Sequence, residues 1–513
     1  MDNATKDYLR ARTKRSSKIL LRDLRVFTPC HSVVIFFLLL SLPFPLPSIS
    51  IFHYPLTTMI VMKFGGSSVA DAERLRHVAG IVQSQIERQP VVVLSAMGDT
   101  TDHLLEAGEE ALRTGKVHAE KIVKPHLQAI KSLNPPVQKE IKLLLDEVAG
   151  LLSGISVTNE LTLKTRDYLV SYGERLSVRI AAAFFESAGI NAKAFDAWDL
   201  GFLSDSNHGQ AELSPESWKL IREKIAPLVD SGLVPVVTGF IARDGQGYIT
   251  TLGRGGSDLT ATTIAAACKA EEAQVWKDVD GILTADPRIV KGARPVDALN
   301  YEEASELAYF GAQVLHPRAM LPCIKTGTPV IVKNSYNIAA PGTRIGPVTR
   351  KTKSRKPPRS KNGAPIHAIT FRQNVTLVDI VSSHMVGQYG FLAEVFSSFA
   401  GRNISVDMVA TSEVSVSLTL DTAYDLSSLK EELSKIAGVE IKTGKAIVSI
   451  IGDVARSSEI LARAFRTCQL AGVAVQMVSQ GASKVNISFI VDDTEAAQIV
   501  RALHIEFIET EKL

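Results

Sequence analysis

Val61-Met62-Lys63-Phe64-Gly65-Gly66-Ser67-Ser68-Val69 is the stretch whose reading decides the fold. A β-branched run ends in a lysine, two glycines let the backbone turn tightly, and a helical pattern begins directly afterwards. N–H groups exposed at such a turn and at the start of the next helix make an anion site, to which Lys63 adds a point charge. Ser68, with Asp71 three residues on, reads as a variant of the capping box that fixes the helix start. The lysine precedes the glycines, so the order is not that of a P-loop. A plain strand–turn–helix junction has the same local pattern, and the motif therefore needs company.

Working outward, short β-branched runs alternate with helical patterns from Met59 to Asn334. The runs are 60–64, 90–95, 234–238, 273–276 and 329–332. In the first intervening helix Leu75, Val78, Ala79, Val82 and Ile86 share one face. This alternation predicts an α/β fold with a largely parallel sheet between helical layers.

Three further motifs lie in that region. Thr250-Thr251-Leu252-Gly253-Arg254-Gly255-Gly256-Ser257-Asp258 surrounds an arginine with glycines, a pattern suited to bidentate capture of a carboxylate. Ser257 is expected to cap the helix that follows, and Asp258 to orient substrate or meet a metal. Val275-Trp276-Lys277-Asp278-Val279-Asp280-Gly281 reads as a strand entering a hairpin-like turn, with Lys277 and Arg288 available to phosphates and Trp276 as packing. A solvated acidic turn fits that stretch equally. In Arg166-Asp167-Tyr168-Leu169-Val170-Ser171-Tyr172-Gly173-Glu174, Glu174 stands at the expected start of an apolar helix. There it either binds an ammonium group or favours the positive helix end.

The 513 residues exceed one ordinary core, and 45% hydrophobic with 22% charged residues is an ordinary globular composition. The net charge of +3 is uneven: residues 1–58 carry +5 and residues 344–361 carry +8, leaving −10 for the rest. Nucleic-acid binding by the folded body is thereby disfavoured. Four scattered cysteines form neither a disulfide framework nor a zinc site, which fits a reducing compartment.

At the N-terminus a basic stretch precedes an apolar run at 33–40, and Pro43, Pro45 and Pro47 follow. The run is about half of the roughly 20 residues a spanning helix needs, which argues against a membrane anchor; a signal peptide, an organelle targeting segment and a dispensable extension at 1–58 all fit. After a basic linker at 344–365, two similar blocks at 366–441 and 442–513 each run strand, helix, strand, strand. The match of 412–418 to 483–489 points to a duplication.

Together these motifs, with Phe310-Gly311-Ala312-Gln313-Val314-Leu315-His316-Pro317, resemble the aspartate kinases of the amino acid kinase family over about 450 residues. The resemblance implies a three-layer αβα amino acid kinase fold at 59–343, followed by two βαββαβ ACT domains. It also implies phosphorylation of the aspartate β-carboxylate by ATP, with Mg2+ on the nucleotide phosphates and no protein metal site assigned. This is the first step towards lysine, threonine, methionine and isoleucine. Lys63 and Asp258 are the expected catalytic side chains. Lys63, Gly65, Gly66, Ser67, Lys277, Asp278, Leu283, Arg288, Gln313 and Val314 are expected around ATP. Thr101, Glu174, Arg254, Gly255, Gly256 and Ser257 are expected around aspartate. Lysine is the implied effector, at Met385, Gly387, Gln388, Tyr389, Gly390, Phe391, Ser405, Val406, Asp407, Thr411 and Ser412, with S-adenosylmethionine as a joint inhibitor. The resemblance further implies a homodimer paired through the ACT domains and a plastid location, with the cytoplasm as the alternative. Asp407 capping a strand end is the competing account of that residue. A catalytically dead amino-acid sensor is the competing account of the whole.

Overall fold

The computed structural model describes residues 59–311, 315–347, 366–382, 389–421, 424–454, 456–480 and 485–510. The N-terminal extension and the basic linker lie outside them. Among the described residues no helix is long and apolar enough to cross a membrane.

The first sheet has eight strands: β1 (Ile60–Phe64), β2 (Pro90–Leu94), β3 (Ala192–Phe195), β5 (Val234–Thr238), β8 (Glu272–Lys277), β9 (Ala298–Leu299), β10 (Val330–Asn334) and β11 (Thr343–Ile345). Their order is β3-β5-β2-β1-β8-β10-β11-β9, and every pairing is parallel except β10 with β11. Parallel strands must be covered on both faces, and β1 and β2 are buried at every residue. Alternation along β1 sends Ile60, Met62 and Phe64 into the core shared with Leu75, Val78 and Phe185. Met59 and Val61 enter the opposite core with Ile221, Ile264 and Met320. The result is helices on both sides of one sheet.

A small sheet absent from the sequence reading is formed by β4 (Leu203–Ser204), β6 (Ile241–Asp244) and β7 (Ile249–Thr251). It delivers the chain into the arginine–glycine loop. The expected hairpin after Lys277 does not form, because β8 pairs in parallel with β1 and β10. Asp280 there accepts from Asn334 Nδ2 at 2.7 Å instead.

The two C-terminal blocks share one antiparallel sheet, β13-β14-β12-β15-β17-β16. Its strands are β12 (Ile366–Val381), β13 (Val409–Thr411), β14 (Ser415–Asp421), β15 (Gly438–Gly452), β16 (Met477–Ser479) and β17 (Asn486–Asp492). The division at 441/442 follows the chain, whereas the packing crosses it. Ile369 in the first half of β12 joins the core of Ile450, Phe489 and Leu503. Val378 and Ile380 in its second half join Val395, Phe399 and Leu418. The register shifts between these halves, near Arg372 and Val375. The first block is thus inserted into the second. The strand expected at 404–409 begins only at Val409.

Trp276 is buried and stacks on Phe64, with ring centroids 5.7 Å apart, locking β8 to β1. Trp276→Ala is expected to cost about 3–5 kcal/mol. Urea unfolding checks this, and a loss below about 1 kcal/mol would contradict it.

Candidate active site

Parallel sheets present ligands at the carboxyl ends of their strands, and the charged motifs collect there. Lys63 is the penultimate residue of β1 and Lys277 ends β8. After Lys63 the chain makes a 3-10 turn, Gly66–Val69. A Cβ on Gly66 would stand 2.6 Å from the Gly98 carbonyl oxygen, so only glycine permits this approach. Ser68 is not a helix cap: its hydroxyl meets that of Ser335 at 3.1 Å. Asp71 alone caps helix Ala72–Ser84, accepting from the N–H groups of Glu73 and Arg74. Ser67 lends its carbonyl to Arg74 Nη1 and to the Tyr336 hydroxyl.

Across the site, helix Gly256–Cys268 begins after Gly255, which is left-handed (φ 73°) and whose Cβ would stand 2.6 Å from that of His316. Gly255 therefore occupies the cap position. Ser257 lies inside the first turn without a capping bond, because the loop turns one residue earlier than its sequence suggests. The same turn buries Asp258, whose Oδ1 lies 2.7 Å from Lys63 Nζ; both side chains are 8% exposed. Burial, reinforced by the charge of Lys63 and opposed by Asp258, lowers the Lys277 ammonium below the ordinary lysine value. Two cations facing one carboxylate leave an excess of positive charge for an anion.

Glu174 departs from its expected setting. Helix Leu163–Ser187 already encloses it, so it cannot complement a helix N-terminus. It is 3% exposed; Oε1 accepts from the Ala96 N–H at 3.2 Å, and Oε2 has no partner among the described residues. Burial pushes its carboxyl up to about 8, against partial relief from that N–H and from Lys63. A buried carboxyl with a free oxygen is a receptor for a cationic group. Thr101 lies beside it, its hydroxyl 3.6 Å from the point where a Gly173 Cβ would stand. Arg254 projects exposed from the glycine loop. Its charge, after burial, helps to hold the His316 imidazole below its ordinary value.

Other expected residues fall outside this cluster. Asp278 is exposed and Leu283 half-buried in a bridge to Pro295. Arg288 is 87% exposed and held by Asp286 at 2.7 Å, so the structure does not bring it to Lys63 and Lys277. Gln313 and Val314 lie outside the described residues.

The segment Asn334-Ser335-Tyr336 was missed by the motif reading. The Ser335 hydroxyl donates to the Lys277 carbonyl at 2.9 Å, and His77 Nε2 meets the Ser335 carbonyl at 2.5 Å. Its signal was positional: it follows β10, and residues after a parallel strand fall at the site.

In the C-terminal region Met385, Gly387 and Gln388 lie outside the described residues. Tyr389 is exposed, Gly390 caps helix Phe391–Ala400 in a left-handed conformation, and Phe391 is buried. Ser405, Thr411 and Ser412 are exposed and Val406 half-buried. Asp407 is engaged internally: it accepts from the Tyr309 hydroxyl at 2.5 Å and from Arg372 Nη1 at 3.2 Å.

Comparison with known proteins agrees with this geometry. The model of the amino acid kinase family matches residues 58–334, and that of the ACT domain matches 378–426 and 448–507. Aspartokinase 1, chloroplastic, of Arabidopsis thaliana is 49% identical over 468 residues, covering 88% of this chain and 80% of that one. The crystal structure of E. coli aspartokinase III in complex with aspartate and ADP superposes with a TM-score of 0.74 at 33% identity, over 87% of this chain and 99% of that one. The same enzyme in complex with lysine and aspartate gives 0.71 at 34% identity, over 88% and 100%.

The raised Glu174 value has a stability consequence. The folded, ligand-free protein keeps a proton that the unfolded chain releases, so this group's contribution is lost as pH rises from about 4.5 through about 8. Glu174→Gln is expected to flatten that slope and raise the thermal midpoint of the ligand-free protein at pH 8. A lower midpoint, measured by differential scanning fluorimetry, would contradict it.

Proposed function

This chain belongs to the aspartokinases of the amino acid kinase family, and we infer that it transfers the γ-phosphoryl group of ATP to the β-carboxylate of L-aspartate, yielding aspartyl 4-phosphate. The observation that carries this reading is the buried Lys63–Asp258 pair beside a buried Glu174 carboxyl with one oxygen free. The first is built for a polyphosphate, the second for an ammonium group.

Lys63 and Lys277, with the turn at Gly65, Gly66 and Ser67, hold the phosphates. Lys63 offsets charge growing on the transferred group. Asp258 holds the Lys63 ammonium in place between turns of chemistry. Glu174 and Thr101 take the amino end of aspartate, and Arg254 takes its α-carboxylate with the Gly255-Gly256-Ser257 backbone beside it. The two ends held, the β-carboxylate attacks in line. It is ionised at neutral pH, so no general base is required, and catalysis consists of positioning and charge neutralisation. A Mg2+ carried by the nucleotide phosphates would have Asp258 as its nearby carboxylate and would supply further charge neutralisation.

Lysine as feedback effector is supported by the lysine complex of the E. coli enzyme and by the matched ACT domains. The ammonium of lysine reaches Asp407 only by sharing or displacing Tyr309 and Arg372. S-adenosylmethionine as second effector, pairing of two chains through the ACT sheet, and a catalytic domain at 59–343 followed by the ACT region complete the proposal. A plastid location is supported by the chloroplastic relative and the basic N-terminus.

ADP release that depends on L-aspartate tests the reaction, and its absence would refute it. Lys63→Ala is expected to lower kcat at least about a hundredfold with little change in aspartate KM, and an unchanged kcat would reject its role. Asp407→Ala is expected to retain turnover and lose lysine inhibition. Retained inhibition would reject that site.

A further inference from the structure

Asp167 lies seven residues before Glu174 on helix Leu163–Ser187. Two helical turns separate them, so they share a face about 10 Å apart. Asp167 is 2% exposed, and no role described above uses it. Its carboxylate is nonetheless saturated with donors. Oδ2 accepts from the Gly209 N–H at 3.0 Å, the Thr251 N–H at 3.2 Å and His208 Nδ1 at 2.9 Å. Oδ1 accepts from the Thr251 hydroxyl at 2.7 Å.

These partners lead to the arginine–glycine loop. Thr251 ends β7, three residues before Arg254. The loop at 208–211 is strapped to the same stretch: the Ala211 N–H donates to the Thr251 carbonyl at 2.9 Å. Arg318 donates to the carbonyls of both Leu252, at 3.0 Å, and Ala211, at 2.8 Å. The two proposed grips on the amino acid thus stand on different elements. Glu174 is on the helix, Arg254 on the loop, and Asp167 is the carboxylate of that helix which holds the root of that loop.

We propose that Asp167 is a positioning residue that sets the spacing between Glu174 and Arg254, and thereby the fit of the amino-acid substrate. Charge-assisted bonds are short and directional, so a buried carboxylate with four of them, two from backbone N–H groups, fixes a loop tightly. The nucleotide side stands on β1 and β8, which Asp167 does not touch. The inference rests on the reading of Glu174 and Arg254 as the two grips.

Its test is steady-state kinetics of the full chain with both substrates varied. Asp167→Ala is expected to raise aspartate KM about tenfold or more while ATP KM stays within about twofold. Asp167→Asn, which keeps an acceptor for the two N–H groups, is expected to restore most of the difference. Thr251→Val, which removes one bond at nearly constant volume, is expected to show the same split more weakly and covers the case in which Asp167→Ala fails to fold. Equal rises in both KM values, or a lower thermal midpoint with aspartate KM unchanged in a folded variant, would overturn the proposal. Glu174→Gln separates the two layers of the argument. An unchanged aspartate KM in that variant removes the grip reading, whereas a raised one beside an unchanged value for Asp167→Ala removes only the role of Asp167.

Discussion

The buried ion pair between Lys63 and Asp258 is the constraint on which the site depends. The two residues are 195 positions apart and meet at 2.7 Å with almost no water. An isolated buried charge is costly, and one carboxylate does not fully compensate Lys63 while Lys277 stands nearby. The cluster is under-neutralised by design of the fold: three strand and helix ends converge, and two of them bring cations. Breaking the pair from either side strands a buried charge, so the sheet, the glycine turn and the helix of Asp258 have to be assembled together.

A second constraint is closeness of backbone. The turn at Gly66 presses on Gly98, and Gly255 presses on His316. These approaches leave little room for adjustment. Helix Leu163–Ser187 acts as the rigid member: it carries both Glu174, buried with one oxygen unpartnered, and Asp167, bonded to the loop.

The regulatory region is in direct contact with this machinery. The Thr370 hydroxyl donates to the Phe310 carbonyl at 2.9 Å, and Gly311 sits against the Phe371 carbonyl, where a Cβ would stand at 2.2 Å. Tyr309, one residue upstream, donates to Asp407. The end of helix Tyr301–Tyr309 therefore rests on β12, and the same chain runs on through Gln313 and Val314 to His316 beside Gly255.

Much of this was legible in the residues themselves. Buried parallel strands announce themselves as continuous apolar runs, so β1, β2, β5 and β8 were found nearly to the residue. Glycines flanking charges marked the close backbone approaches at Gly66 and Gly255, because that geometry suits few other residue types. Caps were read less well, since Ser68 and Asp71, or Gly255 and Ser257, are equivalent until the helix start is known to the residue. Insertion of one C-terminal block into the other was invisible, because β12 is one unbroken strand whose two halves differ only in what they pack against. Glu174 and Asp167 needed the tertiary structure most. Sequence determined only that the carboxylates stand seven apart, with a helix expected to begin near Glu174. Only the packing of helix against loop decided that one is desolvated with a free oxygen and the other saturated by donors, because burial and hydrogen bonding come from partners distant in the chain.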